Sequence, residues 1–172
     1  MNAMQPTAPN AQPAAPDPPP IRILVDGDAC PVKPLLERAA ERHGVQVIMV
    51  AAIPFKVCAS PLVSLVQIPG GPDAVDEWII EACLPGDIVV TQDIPLAAAA
   101  IARGARAIEV RGEELGPQNI GGRLATRNLM MGLRDQGLMG GGPRPYTRTD
   151  RQRFAQTLGR MLDQARAAGR LG

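Results

Sequence analysis

Asp26, Asp28, Asp73, Asp76 and Asp93 are five acids whose positions suggest chemistry. Asp26 and Asp28 follow the apolar run Ile21–Val25, and Asp93 follows the apolar run 87–91. Asp73 and Asp76 open a helical pattern just after Gly70-Gly71-Pro72. If these segments converge, the acids repel. Two like charges at about 4 Å cost roughly 4 kcal/mol at an effective dielectric near 20. A hard divalent cation with oxygen ligands relieves that repulsion. Mg²⁺ held by a few carboxylates and waters lowers the pKa of a bound water and neutralises charge on a phosphoryl oxygen. Such chemistry needs no histidine, and His43 is the only one in the chain. Catalytic triads and zinc centres built from several histidines are excluded. Cys30, Cys58 and Cys83 are odd in number, widely spaced and without a CxxC pair, so neither a disulfide framework nor a zinc site is expected. Buried free thiols are the plain expectation.

Each acid also has a plain structural use. Asp28 is placed to cap the helix containing Pro31, Asp93 the helix containing Pro95, and Asp73 the helix that follows it. Asp76 is favourable in that helix's first turn. Asp26 ends an apolar strand and has no capping role. Capping also gives no reason for three segments to converge. Asp87, after Pro85-Gly86, reads as a turn residue on the opposite edge.

The pattern of elements says where those acids sit. Short β-branched runs predict strands at Ile21–Val25, Val45–Ala52, Leu62–Ile68, Asp87–Thr91 and Arg106–Val110. Helical spacing predicts helices over Pro31–His43, Asp73–Leu84 and Ile94–Arg103, with Gly44 a stop signal. Two more are predicted at Ile120–Arg134 and Asp150–Ala167, joined by a glycine-rich link over 137–143 that reads as a hinge. The Met130-Met131 pair reads as core. Strands alternating with helices imply a mostly parallel sheet of about five strands, covered on both faces. If the order is 3-2-1-4, strands one and four flank the switch point where ligands bind at the carboxyl edge. Asp26, Asp28 and Asp93 follow those two strands.

Composition sets the outer limits. At 172 residues, 45% apolar and 20% charged, the chain predicts one soluble domain. Residues 1–20 hold seven prolines and five alanines and are expected to be a disordered tail, with a single domain over 21–168. Aromatics are only 2%, which disfavours a base-stacking platform. No apolar run approaches the roughly 18 residues of a membrane span, and the N-terminus lacks signal-peptide features, so a cytoplasmic location is expected. Residues 1–100 carry five Lys and Arg against eleven Asp and Glu, and residues 101–172 thirteen Arg against six acids, giving −6 and +7. Arg123, Arg127 and Arg134 share roughly one helix face. Arg144, Arg148, Arg151 and Arg153 follow the glycine-rich link, whose amides offer a phosphate cradle as a second reading. Such arginines suit a nucleic-acid backbone. A solvated face paired with the acidic half is the competing reading.

The same residues carry a family resemblance. Asp26-Gly27-Asp28-Ala29-Cys30-Pro31-Val32-Lys33 resembles the DADACPVK opening of the uncharacterised bacterial YaiI/YqxD family. The likeness continues through residues 71–79, 85–97, 141–146 and 150–154. It covers about residues 21–165. Gly27 stands where Ala is usual and Gln92 where Ala is frequent. The family resembles the wider PIN-like metal-dependent nucleases. That resemblance implies a Rossmann-like, three-layer α/β fold and a pocket for Mg²⁺ or Mn²⁺. It assigns Asp26 to the acid after strand one, Asp73 or Asp76 to a mid-chain acid, and Thr91-Gln92-Asp93 to a Thr-x-Asp after strand four.

Three functions compete. The first is a metal-dependent nuclease, RNA preferred, with Asp26 and Asp93 as central ligands. Asp28, Asp73 and Asp76 would be further ligands or water orienters, with Asp26, Asp28, Asp76 and Asp93 doing the catalytic work. Arg123, Arg127, Arg144, Arg148 and Arg151 would hold RNA or another single strand. The second is a haloacid-dehalogenase-type phosphatase using the Asp26-Gly27-Asp28 pair, which lacks a well-placed lysine. The third is a non-catalytic RNA- or protein-binding domain that retains the acidic pocket.

Overall fold

The computed structural model describes residues 19–28 and 30–171. The expected tail falls almost wholly on residues 1–18, outside the described residues. β1 (Arg22–Asp26) is the central strand, with Ile23, Leu24 and Val25 wholly buried. Burial on both faces is why its sequence is continuously apolar rather than alternating. α1 (Lys33–His43) takes a proline in its first turn and ends at Gly44, whose φ of 67° closes the helix in the left-handed region. β2 (Gln46–Ala51), β3 (Val63–Gln67) and α2 (Pro72–Ala82) follow. β4 (Ile88–Val90), α3 (Ile94–Ala102) and β5 (Arg106–Ile108) complete the alternating part.

The sheet order is β3-β2-β1-β4-β5-β6. The first five strands are parallel, and β6 (Glu114–Leu115) runs antiparallel to β5. The switch point between β1 and β4 stands where expected. The short β6 extends the expected sheet of about five strands to six. A two-residue strand shows no alternation to detect, and only its pairing with Ala107 and Ile108 defines it.

Helices cover both faces, which makes a three-layer, Rossmann-like α/β sandwich. One face packs Ile23, Val25, Val47 and Met49 against Leu36 and Ala40 of α1 and Phe154, Leu158 and Leu162 of α5 (Arg148–Ala167). The other packs Leu24, Val50 and Val89 against Val75 and Ile79 of α2 and Leu96 and Ala100 of α3. α5 starts at Arg148, two residues earlier than predicted. Thr147 Oγ1 accepts from the Asp150 amide while the Asp150 carboxylate accepts from Thr147 N–H, forming a capping box.

α4 (Ile120–Asp135) behaves differently. Its Ile120 and Leu124 lie against the small cluster of Ile94, Ala97, Ala107 and Leu115, yet the helix contributes no buried residue. Met130 and Met131 are 37% and 43% exposed, so the core reading of that pair is corrected. The second half of α4 has no second layer to lie on. The cysteines are free, Cys30 and Cys83 buried and Cys58 half-buried. Burial pushes the Cys30 thiol up to about 11.

Candidate active site at the β1–β4 switch point

The site begins with β1. Asp26 is its last residue, half-buried and paired in register with Val50 of β2. Thr91, just past β4, is buried and donates its hydroxyl to Asp26 Oδ2 at 3.1 Å. The same Thr91 oxygen accepts the Asp93 backbone N–H at 2.9 Å. Asp93 Oδ1 in turn accepts the Leu96 N–H at 2.9 Å and caps α3. Its capping role is therefore real, and it coexists with a place beside Asp26.

The third segment arrives through backbone geometry. Gly70 and Gly71 take φ values of 125° and 89°, which β-carbon-bearing residues rarely adopt, and the chain folds back from β3 into α2. Gly71, not Asp73, occupies the cap position, and no side chain caps α2. The expected Asp73 cap is corrected. Asp73 lies in the first turn, exposed, where a negative charge suits the helix dipole. Asp76, on the next turn, is half-buried. Desolvation and then the negative charges of Asp93, Asp26 and Asp73 push its carboxyl up to about 6. Asp26 is also raised, first by burial and further by Asp28 and Asp93, against the lowering hydrogen bond from Thr91. The acids of the three segments therefore share one field.

Asp28 serves a different purpose from the cap predicted for it. Its carboxylate accepts the backbone N–H groups of Ala52 at 3.1 Å and Ile53 at 3.3 Å, fastening the end of β2. Val32 is the cap residue of α1. Gly27, between the two acids, is buried under Phe55. A β-carbon there would stand 3.0 Å from the Phe55 ring and from the Val50 carbonyl oxygen. A side chain at this position therefore requires the Phe55 ring or the β2 end to shift. Lys33 lies over the same ring, 3.2 Å from its centroid, so neither Asp26 nor Asp28 has it as a direct partner.

Among the described residues, no group of three Asp, Glu, His or Cys side chains stands close enough to enclose a metal ion. The donors are hard oxygens in a crowded negative field. They fit a hydrated Mg²⁺ or Mn²⁺ touching one or two carboxylates, with waters and a substrate phosphate as the other ligands. They do not fit a closed protein cage.

The arginines divide. Arg123 bonds Glu109 at 2.6 Å, and Arg144 clasps Asp150 with two hydrogen bonds of 2.8 and 2.6 Å. Both are therefore committed to holding the fold. Arg111 also bonds Asp150 at 2.8 Å, and Arg144 first among these groups holds that carboxyl well below the usual range. The partners of the basic half are its own acids, Glu109, Glu113, Glu114 and Asp150, rather than the acidic half. Arg127 donates to Asn128 Oδ1 at 3.4 Å and forms no ion pair among the described residues. Arg148 and Arg151 form no ion pair among the described residues, and both line a cavity with Pro31, Tyr146 and Thr147. The glycines at 140–142 lie in an exposed stretch without helix or strand.

Asp87 is the residue the sequence reading undervalued. It is buried, and its carboxylate accepts Arg22 N–H at 2.8 Å, the Arg22 guanidinium at 2.6 Å and Leu84 N–H at 3.0 Å. It ties β1 to the α2–β4 turn at the edge opposite the acids. An aspartate after Pro-Gly looks like any turn residue until its distant partner is known.

No helix of the described residues is long and apolar enough to cross a membrane. No solved structure matches the chain. A UPF0178 protein of Cereibacter sphaeroides is 48% identical over 150 residues, covering 86% of this chain and 92% of that one. One of Pseudomonas fluorescens is 42% identical, covering 83% and 95%. One of Trichlorobacter lovleyi is 45% identical, covering 81% and 92%. The model of the uncharacterised YaiI/YqxD family matches residues 24–164, from β1 into the last turns of α5, and the chain belongs to that family.

Proposed function

We propose that this protein hydrolyses phosphodiesters with a Mg²⁺ or Mn²⁺ ion at the β1–β4 switch point, acting as a nuclease with RNA as the preferred substrate. The observation that carries this reading is the gathering of Asp26, Asp76 and Asp93 from three segments at one sheet edge, where burial first and then neighbouring carboxylates raise the Asp26 and Asp76 carboxyls. Acids gathered from three segments at a ligand-binding edge cost stability, and a bound dication offsets that cost. When bound, the ion supplies a more acidic water and a counter-charge for the phosphoryl oxygens. The PIN-like resemblance points to the same positions.

Asp26 and Asp93 hold the ion, both aligned through Thr91. Asp76, with a carboxyl near 6, is ionised at neutral pH and orients or deprotonates the attacking water. Asp73 adds negative charge at the rim, and Asp28 keeps the β2 end in place behind Asp26. The phosphatase alternative is disfavoured by Asp28, whose oxygens are already engaged by two backbone amides rather than available as a general acid. A non-catalytic RNA- or protein-binding role is favoured by the lack of a three-acid cage among the described residues.

Calorimetric titration of Mn²⁺ into the protein and into Asp26→Asn tests the site. Initial rates on a single-stranded RNA oligonucleotide then test the chemistry. Saturable binding lost in the variant, with metal-dependent cleavage, supports the nuclease. Binding without cleavage selects the non-catalytic reading.

A further inference from the structure

Two of the thirteen arginines in the basic half share one cavity. Arg106, Arg111, Arg123, Arg144 and Arg160 are each ion-paired. Arg166 and Arg170 donate to backbone carbonyls of His43 and of Pro19 and Pro85. Arg103, Arg127, Arg134, Arg148, Arg151 and Arg153 form no ion pair among the described residues, and of these Arg148 and Arg151 line one cavity of about 560 Å³ together with Pro31, Tyr146 and Thr147.

The walls of that cavity are fixed independently of any ligand. The Tyr146 hydroxyl donates to the Val110 carbonyl at 3.1 Å, just beyond β5. Thr147 is held in the capping box with Asp150. The acid nearest in sequence to the two arginines is Asp150, and its oxygens are taken by Arg144, Arg111 and Thr147. Arg148 and Arg151 thus form no ion pair among the described residues. The cavity lies beside the start of α5, whose amides are capped by Thr147 and Asp150.

Its position links it to the acids. Pro31 lies five residues after Asp26, at the far end of the loop that leaves β1. Cys30, next to Pro31, lies within electrostatic reach of both Asp26 and Tyr146. Asp26 and Pro31 thus bound the loop that leaves the carboxyl end of β1, and Pro31 lines the arginine cavity.

We infer that the Arg148–Arg151 cavity seats a phosphate flanking the one at the carboxylate cluster, so that the substrate is a nucleic-acid strand and not a small phosphate ester. This inference rests on the phosphodiesterase reading and specifies its substrate class. Arginine suits the role because its planar fork matches phosphate oxygens in pairs. Such a contact is electrostatic and independent of sequence, and it weakens with salt.

The test compares the full-length protein with an Arg148→Ala/Arg151→Ala variant, and with Arg42→Ala of α1 as an exposed-arginine control. Both sites are exposed, and an unchanged melting temperature confirms the fold. Fluorescence anisotropy with labelled single-stranded RNA and DNA oligonucleotides, in EDTA, reads binding without turnover. The double variant is expected to bind at least tenfold more weakly, with a slope of log affinity on log salt shallower by about 1. Arg42→Ala is expected to change affinity less than threefold. With Mn²⁺, the variant's KM for the oligonucleotide rises while kcat, and the rate on bis(p-nitrophenyl) phosphate, stay unchanged. Equal affinity in the wild type and the double variant overturns the cavity assignment and leaves the nuclease reading standing. So does equal loss on both substrates. Binding that depends on the two arginines with no cleavage of any substrate keeps the seat and removes the nuclease. A wild-type protein that binds neither oligonucleotide overturns the seat.

Discussion

The Thr91 hydroxyl joins the carboxyl ends of β1 and β4 by donating to Asp26 Oδ2 at 3.1 Å while accepting the Asp93 amide at 2.9 Å. One buried side chain thus sets the spacing of two acids that are 67 residues apart in the chain. Thr91→Val keeps the shape and removes both bonds. It leaves the Asp93 amide without its acceptor and Asp26 without the hydrogen bond that lowers its carboxyl. The expected cost is about 1–2 kcal/mol in denaturant unfolding. Mn²⁺ affinity is expected to fall with it. Retained metal affinity in a destabilised variant would separate Thr91 from the site.

Asp76 makes stability depend on pH with a definite sign. Its folded carboxyl lies near 6, above the ordinary value of 3.8. Between those values the folded chain binds more protons than the unfolded one, so Asp76 makes stability fall as pH rises from about 4 through 6. Asp76→Asn removes that penalty. At pH 7 the variant is expected to be more stable by about 1 kcal/mol, the shift being discounted for solvent screening of a half-buried group. At pH 4 the two proteins should unfold alike. Wild-type Mn²⁺ binding should strengthen between pH 5 and 7 and raise the melting temperature only in the upper part of that range. A pH-independent difference between the proteins would count against the shared field.

The switch point was legible in the sequence because each of its parts leaves a local mark. β1 and β4 are continuous apolar runs, Gly70-Gly71-Pro72 is a turn, and alternation of strands with helices dictates parallel crossovers. Nothing local marks β6, which exists only as a partner of β5. The long-range ties of Asp28 and Asp87 escape a sequence reading for a related reason. Asp28 bonds amides 24 and 25 residues away, and Asp87 bonds Arg22, 65 residues away. Capping and turn rules look only a few residues along the chain. The exposed Met130 and Met131 show the opposite failure. An amphipathic helix predicts a buried face, and α4 has too little neighbouring structure to bury one.

Asp87 offers a control for the edge opposite the site. Its side chain is almost wholly buried against Arg22. Asp87→Asn removes the charge that Arg22 faces and is expected to cost about 2–4 kcal/mol. Mn²⁺ affinity of the folded variant should be unchanged, because the tie lies at the amino ends of the strands. A large loss of metal affinity in protein that remains folded would contradict that separation.

Asp150 gives stability the pH dependence opposite to that of Asp76. Arg144 holds its carboxyl well below the usual range, with Thr147 also lowering it. Between the folded and unfolded values the unfolded chain binds more protons, so Asp150 adds stability that is complete above about pH 4 and lost as pH falls further. Asp150→Asn should therefore lower the melting temperature at pH 7 and narrow its gap from the wild type as the solution is acidified below 4. A gap that stays constant would show that the ion pairs with Arg111 and Arg144 contribute little, leaving the capping box as the whole effect.

Asp28 separates fastening from metal binding. Its carboxylate accepts two backbone amides at the end of β2 and also adds to the field that raises Asp26. Asp28→Asn keeps a carbonyl oxygen for those amides and removes the charge, whereas Asp28→Ala removes both. The alanine variant is expected to unfold about 1 kcal/mol more easily than the asparagine variant, the worth of the lost hydrogen bonds at an exposed loop. If fastening is the role, both variants bind Mn²⁺ within about threefold of each other, since both have lost the same charge. A much weaker alanine variant would show that the β2 end must be held for Asp26 to keep its place. Abolished binding in both variants would make Asp28 a direct ligand and move the ion towards the β1–β2 side of the switch point.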